Sequence, residues 1–133
     1  MVGLISKDNT AWQEAPFSSY FETDTATGQV SDLTGLLVRK ENHIVNITGI
    51  INPTASISGS ANYYDIIETP LDSEYRPISS IKILSSGAGS YVWLLTISTD
   101  GKVLFSRYRN TSSYASCGTS STLYVNATYI TVD

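Results

Sequence analysis

The feature that most constrains the fold is an alternation of apolar and polar residues on both sides of an Asp-Gly pair, in the stretch YVWLLTISTDGKVLFSRYR. Side chains that alternate with a period of two point to opposite faces of a β-strand. Asp100-Gly101 between two such runs is a strong hairpin signal, because glycine readily supplies the positive φ of a tight turn. The sequence therefore predicts two antiparallel strands, at 91–98 and 102–109.

The same pattern recurs along the chain. The stretch LLVRKENHIVNITGII reads as two strands around a break at Glu41-Asn42, and TLYVNATYITV reads as a further strand. A shorter run, ISSIKIL, lies between them. No window shows a helical period, and turn signals recur about every ten residues, as in sandwiches and barrels. We therefore predict an all-β chain, an antiparallel β-sandwich or jelly-roll-like barrel.

The parity of the alternation assigns side chains to faces. The predicted core is Val45, Ile47, Trp93, Leu95, Ile97, Phe105, Val125 and Tyr129. The residues on the opposite face of these strands are also partly apolar, since they include Ile44, Ile50, Val92 and Leu94. An antiparallel sheet in a monomer leaves one face to water, so a second apolar face predicts cover by another sheet or another chain.

The length and the net charge limit the number of domains and the classes of function that this chain can have. The 133 residues suit one domain, which we divide into an N-terminal arm or short strands at 1–33 and a β-sandwich domain at 34–133. The net charge is −4 and there is no basic run, which disfavours nucleic-acid binding. No apolar run approaches the ~20 residues of a membrane span, so no membrane insertion is expected. The start, MVGLISKDNTAW, becomes polar too soon for a signal peptide.

Catalytic and metal-binding residue types are scarce. There is one histidine, His43, and one cysteine, Cys117. A zinc site needs three or four suitable ligands, and a hydrolytic triad needs a base, so we expect no enzyme activity, no cofactor and no metal. Paired carboxylates, Asp65 with Glu68 or Asp72 with Glu74, leave open a glycan-cleaving enzyme.

Aromatic and amide side chains are abundant instead. Nine tyrosines and two tryptophans accompany many Asn, Ser and Thr residues. Rings with hydrogen-bonding neighbours suit sugars, and tyrosine-rich surfaces also suit protein partners. Three Asn-x-Ser/Thr sequons begin at Asn46, Asn110 and Asn126. The first and third lie within predicted strands, where glycosylation is a poor explanation for them.

Four elements occur in a fixed order: VRKENHIVNITG at 38–49, TPLDSEYRP at 69–77, ISTDGKV at 97–103 and NATYIT at 126–131. Together they resemble the C-terminal head domains of bacteriophage tail-fibre and receptor-binding proteins, over roughly residues 33–131. The chain departs from that pattern in Pro70-Leu71, where the usual order is Leu-Pro. The first thirty residues align with nothing in it.

The resemblance implies a homotrimeric β-sandwich head at the tip of a fibre or baseplate, extracellular in the virion and attached to phage tail or baseplate proteins. Its partner would be a host cell-wall saccharide, in the style of phages that infect Gram-positive bacteria. Such heads are non-catalytic. Two alternatives stay open, namely a structural or accessory carbohydrate-binding module of a virion and a glycan depolymerase fragment.

The saccharide-binding candidates combine a ring with polar neighbours on predicted loops or strand ends: Tyr63, Tyr64 and Asp65; Arg107, Tyr108, Arg109 and Asn110; His43; and Trp93 as a second choice. For Ile44, Ile50, Val92 and Leu94 we predict burial between protomers. In TPLDSEYRP we expect Tyr75 and Arg76 to pin a surface crossing to its neighbours, and Pro77 to fix φ where the chain enters a strand.

Overall fold

Antiparallel strands make up most of the part of the chain described by the computed structural model, residues 10–24 and 33–132. These residues contain no α-helix, and the one helical turn is a 3₁₀ turn at Ser73–Tyr75. The prediction of an all-β chain is confirmed. None of the described helical segments has the length and apolar character to cross a membrane.

The strands form two five-stranded sheets and one two-stranded sheet. The first sheet contains β1 (Gln13–Pro16), β2 (Phe21–Thr23), β3 (Gly35–Glu41), β4 (Ile44–Pro53) and β12 (Leu123–Ile130). The second contains β6 (Tyr64–Asp65), β7 (Ile81–Ser86), β8 (Tyr91–Ile97), β9 (Val103–Asn110) and β10 (Ser113–Tyr114). The third pairs β5 (Ile57–Ser58) with β11 (Ser116–Cys117).

Strand order places β4 at the centre of the first sheet. The order is β1-β3-β4-β12, and β2 pairs with β4 beyond the end of β3. In the second sheet the order is β10-β9-β8-β7, with β6 also beside β9. The short strands at 13–16 and 21–23 thus belong to the same sheet as β3 and β4.

Two single bridges connect the edges of the two large sheets. Phe17, just after β1, bridges to Ile67, just after β6. Gly87, just after β7, bridges to Leu123 at the start of β12. The sheets therefore curl around one apolar cluster that draws residues from both.

The core contains every residue predicted for it. Val45, Ile47, Trp93, Leu95, Ile97, Phe105, Val125 and Tyr129 are all buried. Along β12, buried and exposed residues alternate without interruption. The period-two prediction is confirmed, because one face of each long strand packs on the opposite sheet.

The predicted second apolar face is divided between two surfaces. Ile44 and Ile50 lie on the outer face of the first sheet, with Asn46 and Thr48 between them. Val92 and Leu94 lie on the outer face of the second sheet and are half-buried. The four residues therefore do not form one continuous patch.

The two predicted hairpins are present. The β8–β9 connection contains Asp100-Gly101, and Gly101 has a φ of +90°. The β3–β4 turn is Asn42-His43, one residue later than predicted, with φ values of +51° and +67°. Two successive positive φ values are those of a type I′ turn, whose twist matches that of the flanking strands.

The TPLDSEYRP crossing is fixed by hydrogen bonds to its neighbours. The Leu71 N–H donates to the Gly101 carbonyl over 2.9 Å, and Arg76 Nε donates to the Leu71 carbonyl over 2.8 Å. Tyr129 Oη donates to the Tyr75 carbonyl over 2.6 Å. The segment connects β6 to β7, which both belong to the second sheet. It is attached to the Asp-Gly hairpin through Leu71 and to β12 through the Tyr75 carbonyl, whereas the Arg76 bond lies within the segment itself.

A candidate saccharide groove

The two principal candidate segments from the sequence lie next to each other in the fold. Tyr64 pairs with Phe105 and Asp65 with Leu104, which places β6 along the edge of β9. Slightly further on, the Arg107 N–H donates to the Ser60 carbonyl over 2.7 Å. The structure therefore brings 60–65 and 104–107 together at one edge of the second sheet.

An open aromatic groove lies beside this edge. The rings of Tyr20 and Tyr64 meet edge to face, with centroids 5.3 Å apart, and Tyr64 in turn contacts Phe105. The groove has a volume of about 320 Å³. We call it the tyrosine groove; it is lined by Tyr20, Thr54, Ala55, Ser56, Ile57, Ser58 and Tyr64.

Hydrogen bonds from three segments hold the groove in place. The Thr54 N–H donates to the Tyr20 carbonyl over 2.8 Å, and Thr54 Oγ1 donates to the Ser19 carbonyl over 2.6 Å. Ser18 Oγ donates to the Asp65 carbonyl over 2.6 Å. The turn that carries Tyr20 is thereby attached both to the end of β4 and to β6, so the ring has a defined position before any ligand binds.

The lining favours an uncharged ligand with apolar and hydroxylated faces. It combines two phenol rings with the hydroxyl side chains of Thr54, Ser56 and Ser58, and it contains no carboxylate, ammonium, guanidinium or imidazole. Tyr20 is 45% exposed, so part of its ring is open to a partner. A sugar can pack its C–H face on such a ring while hydroxyls and backbone groups satisfy its own hydroxyls.

Several predicted residues do not line the groove. Tyr63 and Asp65 are exposed on the neighbouring segment. Arg107 donates from Nη1 to Tyr114 Oη over 2.9 Å, and Arg109 Nη1 donates to the Arg107 carbonyl over 3.2 Å. Asn110 Oδ1 accepts a hydrogen bond from Ser90 Oγ over 2.9 Å. These polar groups are engaged within the fold at the far end of β9.

Arg107 owes its position to an irregularity in β9. Its φ is +57°, and the pairing of β8 with β9 shifts register between Val92 and Leu94. Two residues of β9, Arg107 and Tyr108, thus oppose Trp93 alone, which is the arrangement of a β-bulge. The bulge keeps Arg107 exposed while the next ring turns inward.

The structure corrects the assignment of two predicted rings. Tyr108 is buried and stacks flat on Tyr91, with centroids 5.1 Å apart and planes 5° from parallel. Burial also raises the pKa of the Tyr108 phenol. Trp93 is fully buried and donates from Nε1 to the Ser86 carbonyl over 3.0 Å. Neither ring has an open face for a sugar, because both fill the core between the sheets.

His43 lies far from the other candidates. It occupies the β3–β4 turn, where its carbonyl accepts a hydrogen bond from the Thr131 N–H over 2.8 Å. The tyrosine groove begins at Thr54, beyond the other end of β4. A strand of that length spans roughly 30 Å at about 3.3 Å per residue. His43 therefore cannot contact a small ligand in the groove.

Tyr20 is the functional candidate that sequence reasoning missed. It lies four positions after Pro16, in the turn between β1 and β2, and these strands of four and three residues are too short to show a clear alternation. The available signal was the clustering of Phe17, Tyr20 and Phe21 within five positions. Phe21 enters the core, and Tyr20 stays at the surface.

Two further kinds of reactive group are the metal-ligating side chains and the cysteine thiol. No three His, Cys, Asp or Glu residues there lie close enough to hold a metal ion. Cys117 is fully buried in β11, and burial raises the pKa of its thiol from 9.0 to about 12.

Compared with models of known protein families and with curated protein sequences, the chain gives no match.

Proposed function

We propose that this chain is the receptor-binding head domain of a bacteriophage tail fibre or baseplate, and that it binds a host cell-wall saccharide without cleaving it. The observation that carries the proposal is the tyrosine groove, an open, pre-positioned and uncharged surface of two rings and three hydroxyl side chains. The order of the four sequence elements described above supports the same assignment.

The finer architecture belongs to the same proposal. Two curled antiparallel sheets bridged at both edges favour a β-sandwich or jelly-roll-like head. We further propose that the head is a homotrimer in the virion, outside the cell. Each protomer would turn the outer face of its second sheet toward the threefold axis.

The composition of that outer face supports the trimer. Leu84 and Leu94 are paired across β7 and β8, and Val92 and Leu104 flank them. Leu84 is 61% exposed. Thr96 and Ser106, small residues between these larger ones, are buried on the same face. The register also places Lys82 opposite Thr96 and Arg109 opposite Val92, so the apolar part of this face is a strip. An apolar strip on an antiparallel sheet is stabilised when another chain covers it.

The test is adsorption of labelled protein to a panel of Gram-positive strains. Replacing Tyr20 by Ala removes the exposed ring of the groove, and stacking is worth about 1 kcal/mol. Affinity for the cells should therefore fall about fivefold per site, and further if a trimer binds through several sites. Tyr114→Ala is the matched control, because Tyr114 is 48% exposed and lies outside the groove.

Three results would contradict the proposal in different ways. Folded wild-type protein that adsorbs to no strain would reject the receptor-binding function. Adsorption that survives both Tyr20→Ala and Ala55→Glu, which places a charge in the groove, would reject the site. Release of reducing ends from purified cell-wall polysaccharide would favour the depolymerase alternative.

A further inference from the structure

A second polar surface occupies the middle of the outer face of the first sheet, between Ile44 and Ile50 of β4. Register aligns Arg39, Asn46 and Thr128 in one row across β3, β4 and β12, and Leu37, Thr48 and Asn126 in the next. Trp12 extends the first row, because its ring lies 5.0 Å from the Arg39 guanidinium. We call this surface the polar grid; it consists of Trp12, Arg39, Asn46, Thr48, Asn126 and Thr128.

The centre of the polar grid is made from the two sequons within strands. In each Asn-x-Thr tripeptide the outer residues share a face, because the strand period is two. The antiparallel register then sets Asn46 opposite Thr128 and Thr48 opposite Asn126. Thr128 Oγ1 donates to Asn46 Oδ1 over 2.8 Å, which orients that amide. The result is a square of two amides and two hydroxyls on the outer face of the first sheet.

Trp12 gives one end of the grid an aromatic ring. It is 45% exposed, and Arg39 lies over the ring at cation–π distance. Arg39 also lies 4.0 Å from the Glu41 carboxylate, so its charge is balanced locally. The grid therefore presents a ring, then an arginine, then amides and hydroxyls, with little net charge.

The chemistry of this surface selects its ligand. An apolar protein partner would bury the amides and hydroxyls without replacing their bonds to water, at a cost of several kcal/mol. A hydroxyl-rich ligand would replace those bonds. Adjacent strands lie about 4.8 Å apart, close to the length of one sugar residue in a linear chain. Successive sugars could thus meet successive strands.

We propose that the polar grid binds a linear, uncharged polysaccharide that lies across the strands of the first sheet, with one sugar stacked on Trp12. This site is separate from the tyrosine groove and depends on the proposed function only for the class of ligand. The two sequons are then parts of a binding surface rather than glycosylation acceptors.

The two tryptophans provide a direct readout by nitrogen-15 NMR. Cellohexaose, maltohexaose and chitohexaose would each be titrated at millimolar concentration into the folded protein. We expect at least one to produce saturable shifts at the Trp12 indole and at the Asn46 and Asn126 side-chain amides. The Trp93 indole is the internal control, because it is buried and bonded to Ser86.

Variants distinguish stacking from non-specific change. Trp12→Ala should weaken the affinity from these titrations about fivefold or more, since it removes the ring. Trp12→Phe should restore part of it, and Asn126→Ala should weaken it while leaving the fold intact. Tyr20→Ala, in the tyrosine groove, should leave the shifts at the grid unchanged.

Three results would overturn the proposal that the polar grid binds a polysaccharide. Absence of shifts at the grid with all three hexasaccharides, or shifts confined to the tyrosine groove, would overturn the proposal. Shifts at the grid that follow protein concentration instead of sugar would assign the face to a second copy and also overturn it. Cell adsorption that is lost in Tyr20→Ala and retained in Trp12→Ala would preserve the proposed function and reject the polar grid.

Discussion

Tyr108 is held in the core by its flat contact with Tyr91 and by the ring of Phe105, whose centroid lies 6.3 Å away. Replacing it by Ala would remove a buried ring and leave a cavity, so we expect the free energy of unfolding to fall by about 3 to 5 kcal/mol. Urea denaturation measures this. Tyr63→Ala is the control, because a half-exposed ring should change stability by less than about 0.5 kcal/mol.

Cys117 gives the fold a dependence on alkaline pH. Burial raises its folded-state pKa from 9.0 to about 12, so the folded state disfavours the thiolate that the unfolded chain forms readily. The free energy of unfolding should be unaffected by this group below pH 9 and should fall as pH rises toward 12. Denaturation across that range checks this. The decline should be shallower in Cys117→Ala, and an identical slope would contradict the assignment.

At the level of residues, the sequence predicts which side chains are buried better than it predicts which side chains meet at the candidate site. Parity along a strand is a local property, and it placed Val45, Ile47 and Trp93 correctly in the core. It could not show that Tyr108 turns inward, because a bulge at Arg107 changes the parity of β9. Nor could it show that Tyr20 meets Tyr64, since 44 positions separate them and only the tertiary fold brings them together.

The Asp100-Gly101 turn stabilises more than its own hairpin. A Cβ on Gly101 would lie 2.7 Å from the Leu71 carbonyl oxygen and 2.9 Å from its nitrogen, and the residue has a φ of +90°. We expect Gly101→Ala to lower the free energy of unfolding by about 3 kcal/mol, because it combines backbone strain with a clash. Gly101→Ala should also detach the crossing at 69–77, which would appear as increased proteolysis there.

Gly89 supplies the matched control for that prediction. Its φ is +61°, but nothing lies within 4 Å of an added Cβ. Gly89→Ala should therefore show only the conformational cost, about 1 kcal/mol. Equal destabilisation by the two variants, measured by urea denaturation, would contradict a specific contact between Gly101 and Leu71.

Long elements were predictable, and short ones were not. The arms of both hairpins and β12 carry enough alternating positions to be recognised. By contrast, β5, β10 and β11 have two residues each, and no periodic pattern can be read from two residues. The β3–β4 turn lies one position later than predicted, because Asn42 and His43 both adopt positive φ. That conformation favours glycine, and nothing in the sequence predicts it at His43.

For the whole molecule, the proposed trimer can be tested with two closely matched leucine and isoleucine substitutions. Leu84 lies on the outer face of the second sheet and is 61% exposed, and Ile130 lies on the outer face of the first and is 58% exposed. Leu84→Glu should dissociate the trimer, because a buried unpaired charge opposes association. Ile130→Glu should leave it assembled.

Light scattering reads the outcome directly. Wild type and Ile130→Glu should show three times the 14.4 kDa chain mass, and Leu84→Glu should show that mass once. A trimer disrupted only by Ile130→Glu would place the interface on the first sheet. A monomeric wild type at micromolar concentration would reject trimer formation by this chain alone.

At this scale the sequence predicted the class of the fold but not how the sheets join. Alternation specifies that strands exist and which side of each is apolar. It does not specify which strands pair, because pairing depends on contacts between distant segments. The separation of Ile44 and Ile50 from Val92 and Leu94 on different sheets is the clearest example.

The pairing of β4 with β12 also bears on how the chain is made. Ile44 through Ile51 align with Leu123 through Ile130, and the bonded side chains of Asn46 and Thr128 are 82 positions apart. During translation, one edge of β4 stays without its partner until β12 has left the ribosome. Exposed edges of this kind recruit other chains. Slow or interrupted synthesis in this region would therefore favour aggregation of the nascent protein, and contacts this distant in sequence also slow folding.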